Sequence, residues 1–118
     1  MVNDIQNKII IIGGGLIGEL LHLMLKSKGF EINHFAKALK IKNRTFALSP
    51  SSVDWLRSLG FPSSFFEALS EIKSMKIFDS SIKNSVTLDA EDVHKPALAY
   101  MVNEKDFNVA IKKTFNNE

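Results

Sequence analysis

Lys8-Ile9-Ile10-Ile11-Ile12-Gly13-Gly14-Gly15-Leu16-Ile17-Gly18 is the stretch whose reading decides the fold. Four consecutive isoleucines are too few to span a membrane but suit a strand of a parallel sheet. Such strands are covered by helices above and below, so they read as unbroken apolar runs. The spacing predicts a strand buried on both faces. Gly13, Gly15 and Gly18 then supply G-x-G-x-x-G, with an apolar, helix-like segment directly after. In a dinucleotide-binding unit the first glycine makes the tight turn, and the second lets backbone approach a pyrophosphate. The third lets helix and strand pack closely. A helix starting there offers unpaired N–H groups and the positive end of its dipole to phosphates. Strand before and helix after predict a nucleotide site; the plain alternative is an ordinary strand-to-helix turn.

Working outward, Leu16–Lys28 reads as the first helix, with Gly29 where a C-terminal cap belongs. Glu19, His22 and Lys26 mark a narrow polar stripe, which puts His22 towards solvent and requires most of the remaining circumference to be covered. Phe30–Ala36 is the second strand, and the basic segment Lys37–Asn43 an irregular connection. A third strand does not announce itself at once. Ser49-Pro50 opens a helix, Ser as N-cap and Pro at the first helical position, and Gly60 stops it. A short helix follows in Pro62–Leu69. Ile72–Phe78 and Ser85–Ala90 read as a half-exposed β-hairpin, with a turn-rich segment between them. Ala97–Val102 is a further strand. Asn103 caps a last helix, Glu104–Phe115, with Phe107, Ala110 and Ile111 as its buried stripe.

The bulk properties narrow the class. The chain has 118 residues, 45% of them hydrophobic and 24% charged, as in a single globular domain. Its 15 basic and 13 acidic side chains are scattered and leave a net charge of +2, with no basic stripe of the kind nucleic acid requires. The absence of cysteine removes disulfides and thiolate metal sites and fits a reducing cytoplasm. Ile9–Leu25 is apolar, but three glycines, Glu19 and His22 interrupt it, so neither a targeting nor a transmembrane segment is expected. His22, His34 and His94 share no metal-ligand spacing, and no serine sits in a nucleophile elbow. His34 reads as a packed or hydrogen-bonded strand residue. Neither a metal site nor a catalytic residue is expected.

Further motifs lie at fixed places after the glycines: Arg44-Thr45-Phe46-Ala47-Leu48-Ser49, then Leu59-Gly60, then Ile72, Met75, Ile77 and Asp79, then Tyr100-Met101-Val102-Asn103-Glu104-Lys105. In that order and spacing the chain resembles the N-terminal part of the flavin-dependent aromatic-ring hydroxylases, in particular those of ubiquinone biosynthesis, relatives of para-hydroxybenzoate hydroxylase. The resemblance implies an α/β fold: a Rossmann-like FAD-binding βαβ unit with an added β-hairpin, incomplete relative to the family. Residues 1–118 would form one partial FAD-binding domain. It also implies FAD as cofactor, NAD(P)H as co-substrate of the complete enzyme, and hydroxylation of an aromatic, lipid-soluble ring. A cytoplasmic and membrane-peripheral placement of that enzyme goes with it. The cofactor-binding candidates are Gly13, Gly14, Gly15, Leu16, Ile17 and Gly18 at the turn, together with Arg44, Ala47 and Lys105. A guanidinium at Arg44 could bond a diphosphate bidentately, and a surface arginine before a helix is its plain alternative.

Three departures from the pattern matter. Ala36 stands where the family has an acid for the ribose hydroxyls, and Glu31 is at the wrong end of the strand to replace it. Losing a charge-assisted hydrogen bond costs about 1.5–3 kcal/mol, roughly ten- to hundredfold in affinity. Lys105 stands where an arginine is usual and keeps charge without the planar fork. The family's second FAD motif, Gly-Asp-Ala-Ala-His or similar, is absent. The chain is therefore expected to be a fragment, without hydroxylase activity alone. An NAD(P)-binding unit of another oxidoreductase, favoured by Lys37 after Ala36, and a non-catalytic remnant or interaction module are the competing readings.

Overall fold

The structure is a computed structural model that describes residues 7–38, 40 and 42–117. Strand β1 (Lys8–Ile12), helix α1 (Leu16–Ser27) and strand β2 (Glu31–Phe35) form the expected unit. The two strands pair in parallel from Lys8 opposite Glu31 to Ile12 opposite Phe35. The helix ends as its glycine requires. Gly29 takes φ +85°, its N–H donates to the Lys26 carbonyl, and Phe30 donates to that of Leu25. That paired return is a Schellman cap.

The expectation of a strand buried on both faces is corrected. Ile11 is buried, on the face that meets α1, but Ile10 is 65% and Ile12 85% exposed, as is Phe35 at 62%. Side chains of a strand alternate, and among the described residues this sheet has two strands with one helix across one face. The same thin layering corrects the reading of α1: only Leu23 is buried, and Ile17 is 80% exposed.

A second sheet carries the core. Its strands are β3 (Thr45–Leu48), β4 (Ser70–Ile72) and β7 (Ala99–Asn103), in the order β3-β7-β4, all antiparallel. Strand β3 was not legible as a strand beforehand; it lies within the Arg44–Ser49 motif. Helix α2 (Pro50–Ser58) is capped by Ser49, whose Oγ accepts from the Ser52 N–H, and ends at Gly60 with φ +84°. The short α3 (Ser63–Glu67) follows. Strands β5 (Ser74–Asp79) and β6 (Asn84–Asp89) make the hairpin, with Met75 opposite Leu88 and Ile77 opposite Val86. Ile72 belongs to β4 instead, since the chain leaves the second sheet at Lys73. A 3-10 turn, Ala90–Val93, then leads back towards β7. Helix α4 (Glu104–Asn116) starts at Asn103, whose Oδ1 accepts from the Asp106 N–H at 2.8 Å.

Leu23 of α1, Leu56 of α2, Phe65 of α3, Val102 of β7 and Phe107, Ala110 and Ile111 of α4 converge with Phe61 in one buried cluster. Phe61, Phe65 and Phe107 meet edge to face, with centroids 5.0–5.8 Å apart. Such pairs add stability beyond their buried area. Phe66, beside them, is half-buried under the Arg57 guanidinium, 4.0 Å from its ring centroid. The hairpin stands apart from this core and is exposed along nearly all its length. The molecule measures 65 × 29 × 28 Å, with a radius of gyration of 18.3 Å. A compact chain of this length has about 13–14 Å.

Phe107 is 3% exposed at the centre of the cluster, whereas Phe78 on the hairpin is 72% exposed. Phe107→Ala should lower stability by about 3–5 kcal/mol. Phe78→Ser should stay within about 0.5 kcal/mol of the parent, both read from urea unfolding followed by Trp55 fluorescence.

Candidate functional site

Gly13, Gly14 and Gly15 link the end of β1 to the start of α1, and each has a distinct position. Gly13 takes φ +124°, a backbone conformation that L side chains rarely adopt, and its N–H donates to the Phe35 carbonyl at 2.8 Å. Gly15 is the N-cap of α1 in extended backbone, and a Cβ built on it would meet nothing within 4 Å. Gly18 is the tight contact. A Cβ there would lie 2.7 Å from the Gly13 carbonyl oxygen, closer than real Cβ atoms come. The first turn of α1 therefore sits directly against the strand end, as the third glycine of the motif predicts. His34 of β2 completes the turn: its Nε2 donates to the same Gly13 oxygen at 2.6 Å. Far from facing solvent, His22 is half-buried, its Nδ1 3.2 Å from that of His34 and its ring edge-on to Phe115 at 4.9 Å.

The turn opens onto a cleft of about 510 Å³. Gly14, Gly15, Leu16 and Glu19 form one wall, and Asn108, Lys112 and Glu104 of α4 the other. Ala36, Lys37, Ala38, Lys40, Lys42 and Arg44 line it from the connection after β2. That connection was expected to be irregular and has no helix or strand where it is described; Leu39 and Ile41 lie outside the described residues. Five cationic side chains thus face two carboxylates around the glycine turn. Behind it a wider hollow of about 700 Å³ takes in Ile12, Gly13, His34 and Phe35.

Arg44 and Glu104 close one end of the cleft. Arg44 Nη2 donates to Glu104 Oε1 at 2.6 Å and Nε to Oε2 at 3.2 Å, a bidentate pair. The backbone sets it up. Thr45 is opposite Asn103 in the β3–β7 ladder, and one step beyond, the Glu104 N–H donates to the Arg44 carbonyl at 2.8 Å. The Glu104 side chain is 8% exposed and that of Arg44 57%. Hydrogen bonding from the guanidinium holds the Glu104 carboxyl below the ordinary glutamate value, although burial opposes this. The same bond, with the carboxylate charge, raises Arg44. The fork foreseen for phosphate is thus occupied by a carboxylate, which orients an exposed guanidinium at the cleft mouth.

Of the sequence-derived candidates, Gly14, Gly15, Leu16 and Arg44 share the cleft, and Gly13 and Gly18 build its turn. Ile17 points away and is exposed. Ala47 and Lys105 are exposed and do not line it. Glu104, Asn108 and Lys112 were not anticipated as parts of the site. Only the register between β3 and β7 and the packing of α4 beside α1 bring them there. Ala36 lines the cleft wall after β2, and Glu31 pairs with Lys8 at the opposite strand end. Among the described residues no group of histidine and acidic side chains could hold a metal ion. No described helix is long and apolar enough to cross a membrane.

A parallel β-α-β unit with a glycine turn between strand and helix is a Rossmann-like arrangement. No family model matches the chain and no curated protein matches it in sequence. Its fold recurs in solved structures. p-Nitrophenol 4-monooxygenase PnpA from Pseudomonas putida DLL-E4 aligns over 95% of this chain and 30% of its own, with a TM-score of 0.68 and 13% identity. 2,6-Dihydroxypyridine-3-hydroxylase from Arthrobacter nicotinovorans aligns over 92% and 26%, with a TM-score of 0.60 and 17% identity. HpxO of Klebsiella pneumoniae, solved with FAD and uric acid, aligns over 93% and 28%, with a TM-score of 0.60 and 17% identity. The likeness is one of fold. The chain has the α/β architecture of a portion of these enzymes and spans 26–30% of their length.

Gly18→Ala forces the helix off the Gly13 carbonyl and should cost about 1–3 kcal/mol in thermal unfolding, against the usual helix preference for alanine. Glu104 titrates lower folded than unfolded, so its contribution is complete above the ordinary value of 4.5 and is lost as pH falls through the folded value. The stability gap between parent and Glu104→Gln should therefore be constant above about pH 5 and shrink below 4.5, measured by urea unfolding across that range.

Proposed function

We propose that this chain is the FAD-binding N-terminal portion of a flavin-dependent monooxygenase, with the diphosphate seated at the glycine turn. The observation that carries this reading is the juxtaposition at the cleft: extended glycine backbone and the free first-turn N–H groups of α1 meet five cationic side chains. The donor set fits a dianionic diphosphate. The open space over Gly15 is what a closely approaching phosphate requires, and Lys40, Lys42 and Lys112 neutralise it. Gly13, Gly14, Gly15, Leu16, Ile17 and Gly18 form the backbone part of the site, and Arg44 borders it. Ala47 and Lys105 join it through the family resemblance, along a ligand that reaches past the cleft. When bound, FAD would supply the redox chemistry that delivers oxygen from O₂ to an aromatic ring at the expense of NAD(P)H. The chain itself binds and orients the adenosine and diphosphate end. The fold shared with PnpA and the dihydroxypyridine hydroxylase supports this class, and HpxO, with FAD and uric acid, supports the cofactor and an aromatic substrate. A role in ubiquinone biosynthesis, on a lipid-soluble ring and with a membrane-peripheral placement, rests on the sequence resemblance. So do the single partial domain and the inactivity of the chain alone.

A second reading has an observation of its own. Ala36 leaves the ribose hydroxyls without an acid, and Lys37, Lys40 and Lys42 follow it into the same cleft. A 2′-phosphate would suit that wall, which favours NADPH.

Titration by fluorescence separates the two: saturable FAD binding with NADPH roughly tenfold weaker or worse supports the flavin reading, and the reverse order supports the second. Gly15→Asp is the sharpest variant. Aspartate is a preferred N-cap and its Cβ meets no atom there, so the fold should be kept or stabilised by about 0.3 kcal/mol. Its carboxylate occupies the phosphate position, and binding should fall at least about a hundredfold.

A further inference from the structure

The hydrogen-bonding chemistry of His22 and His34 is more constrained than their positions alone suggest. A carbonyl oxygen only accepts, so the 2.6 Å contact to Gly13 fixes the proton of His34 on Nε2. Nδ1 of a neutral His34 is then an acceptor, and His22 must donate to it from its own Nδ1 across 3.2 Å. One added proton is tolerated. It can sit on either ring, because a single hydrogen between the two Nδ1 atoms still satisfies both. A second proton is not tolerated: both Nδ1 atoms then carry hydrogen and face each other, on two cations whose ring centroids are 5.3 Å apart. His22 is backed by Phe115 at 4.9 Å, and a Cβ on Gly18 would come within 3.4 Å of His34 Nε2, so neither ring has a slack neighbour.

We propose that His22 and His34 are positioning residues for the glycine turn: they hold the Gly13 carbonyl in a geometry that a single proton on the pair preserves and a second one breaks. The turn that presents amides to the ligand is thereby coupled to the protonation of a pair lying behind it. This rests on the reading that the turn holds a diphosphate only for its effect on affinity; the effect on the turn itself does not. Among the described residues, charged groups close in sequence on the packed helices include Glu19 and Lys26, one turn either side of His22 on α1, and Lys112 and Lys113 just before Phe115 on α4. Lys26 Nζ also lies 5.7 Å from the Phe115 ring centroid.

The test is an amide and imidazole NMR titration of the 118-residue chain from about pH 8 to 5, with and without FAD. Without ligand, the Gly13, Gly14 and Gly18 amides should follow the imidazole resonances in two steps, as coupled sites do. FAD affinity should fall about fivefold or more across the second step. His34→Gln keeps an N–H donor for Gly13 without titrating, so it should retain binding at high pH and lose the pH response of both glycines and affinity. Glycine amides that ignore the histidine titration in the parent chain, or a pH response that persists in His34→Gln, would overturn the proposal. Glycine amides that follow the histidines while FAD binds at no pH would uphold it and remove the flavin reading instead.

Discussion

The structure depends on one close approach, the first turn of α1 against the carbonyl of Gly13. No side chain fits between them at Gly18, and that single exclusion sets the angle at which the helix leaves the strand. It aims the unpaired N–H groups of the helix at the cleft and keeps Gly13 in a conformation only glycine adopts readily. His34 secures the same oxygen from the other side. The turn is thus held in place by its own contacts.

Stability and site geometry come from different parts of the chain. The aromatic cluster of Phe61, Phe65 and Phe107, with Leu23 and Leu56, belongs mainly to the second sheet and its helices. The glycine turn lies in a two-stranded sheet with one face bare. Helix α4 joins them: its inner face enters the core through Phe107, Ala110 and Ile111, and its flank supplies Glu104, Asn108 and Lys112 to the cleft. Phe115, near its end, reaches across to His22. The cleft is therefore as well defined as the docking of α4 beside α1.

Charge is arranged in the same spirit. Arg44 and Glu104 satisfy each other at the cleft mouth, and the lysines around the turn leave a positive surplus where an anion would sit. Removing one partner of such a pair harms more than the pair itself stabilises, because the other is left without its hydrogen bonds. Nearby Ala36 offers no acid to compete for the lysines. The wall is cationic, with Lys37, Lys40 and Lys42 following Ala36.

Local chemistry was legible in the sequence wherever it alone decides conformation. The glycine spacing gave the turn, Ser49-Pro50 and Asn103 gave two helix starts, Gly29 and Gly60 gave two stops, and the alternation of Met75, Ile77, Val86 and Leu88 gave the hairpin. These features depend on contacts within a few residues, and each residue carries its own conformational preference. What the sequence could not supply were the partners chosen at long range. Strand β3 reads as a loop motif until it pairs with β7, some 55 residues away in register. Ile72 reads as hairpin until β7 claims it. Glu104 reads as a helix-start acid until that same pairing brings it to Arg44, and two unremarkable histidines meet only because β2 lies parallel to β1 under α1. Burial was the other loss, since four isoleucines state that a strand is apolar but not how many layers will cover it. Only the tertiary arrangement fixes that, because the free energy of burial belongs to pairs of surfaces and not to either one.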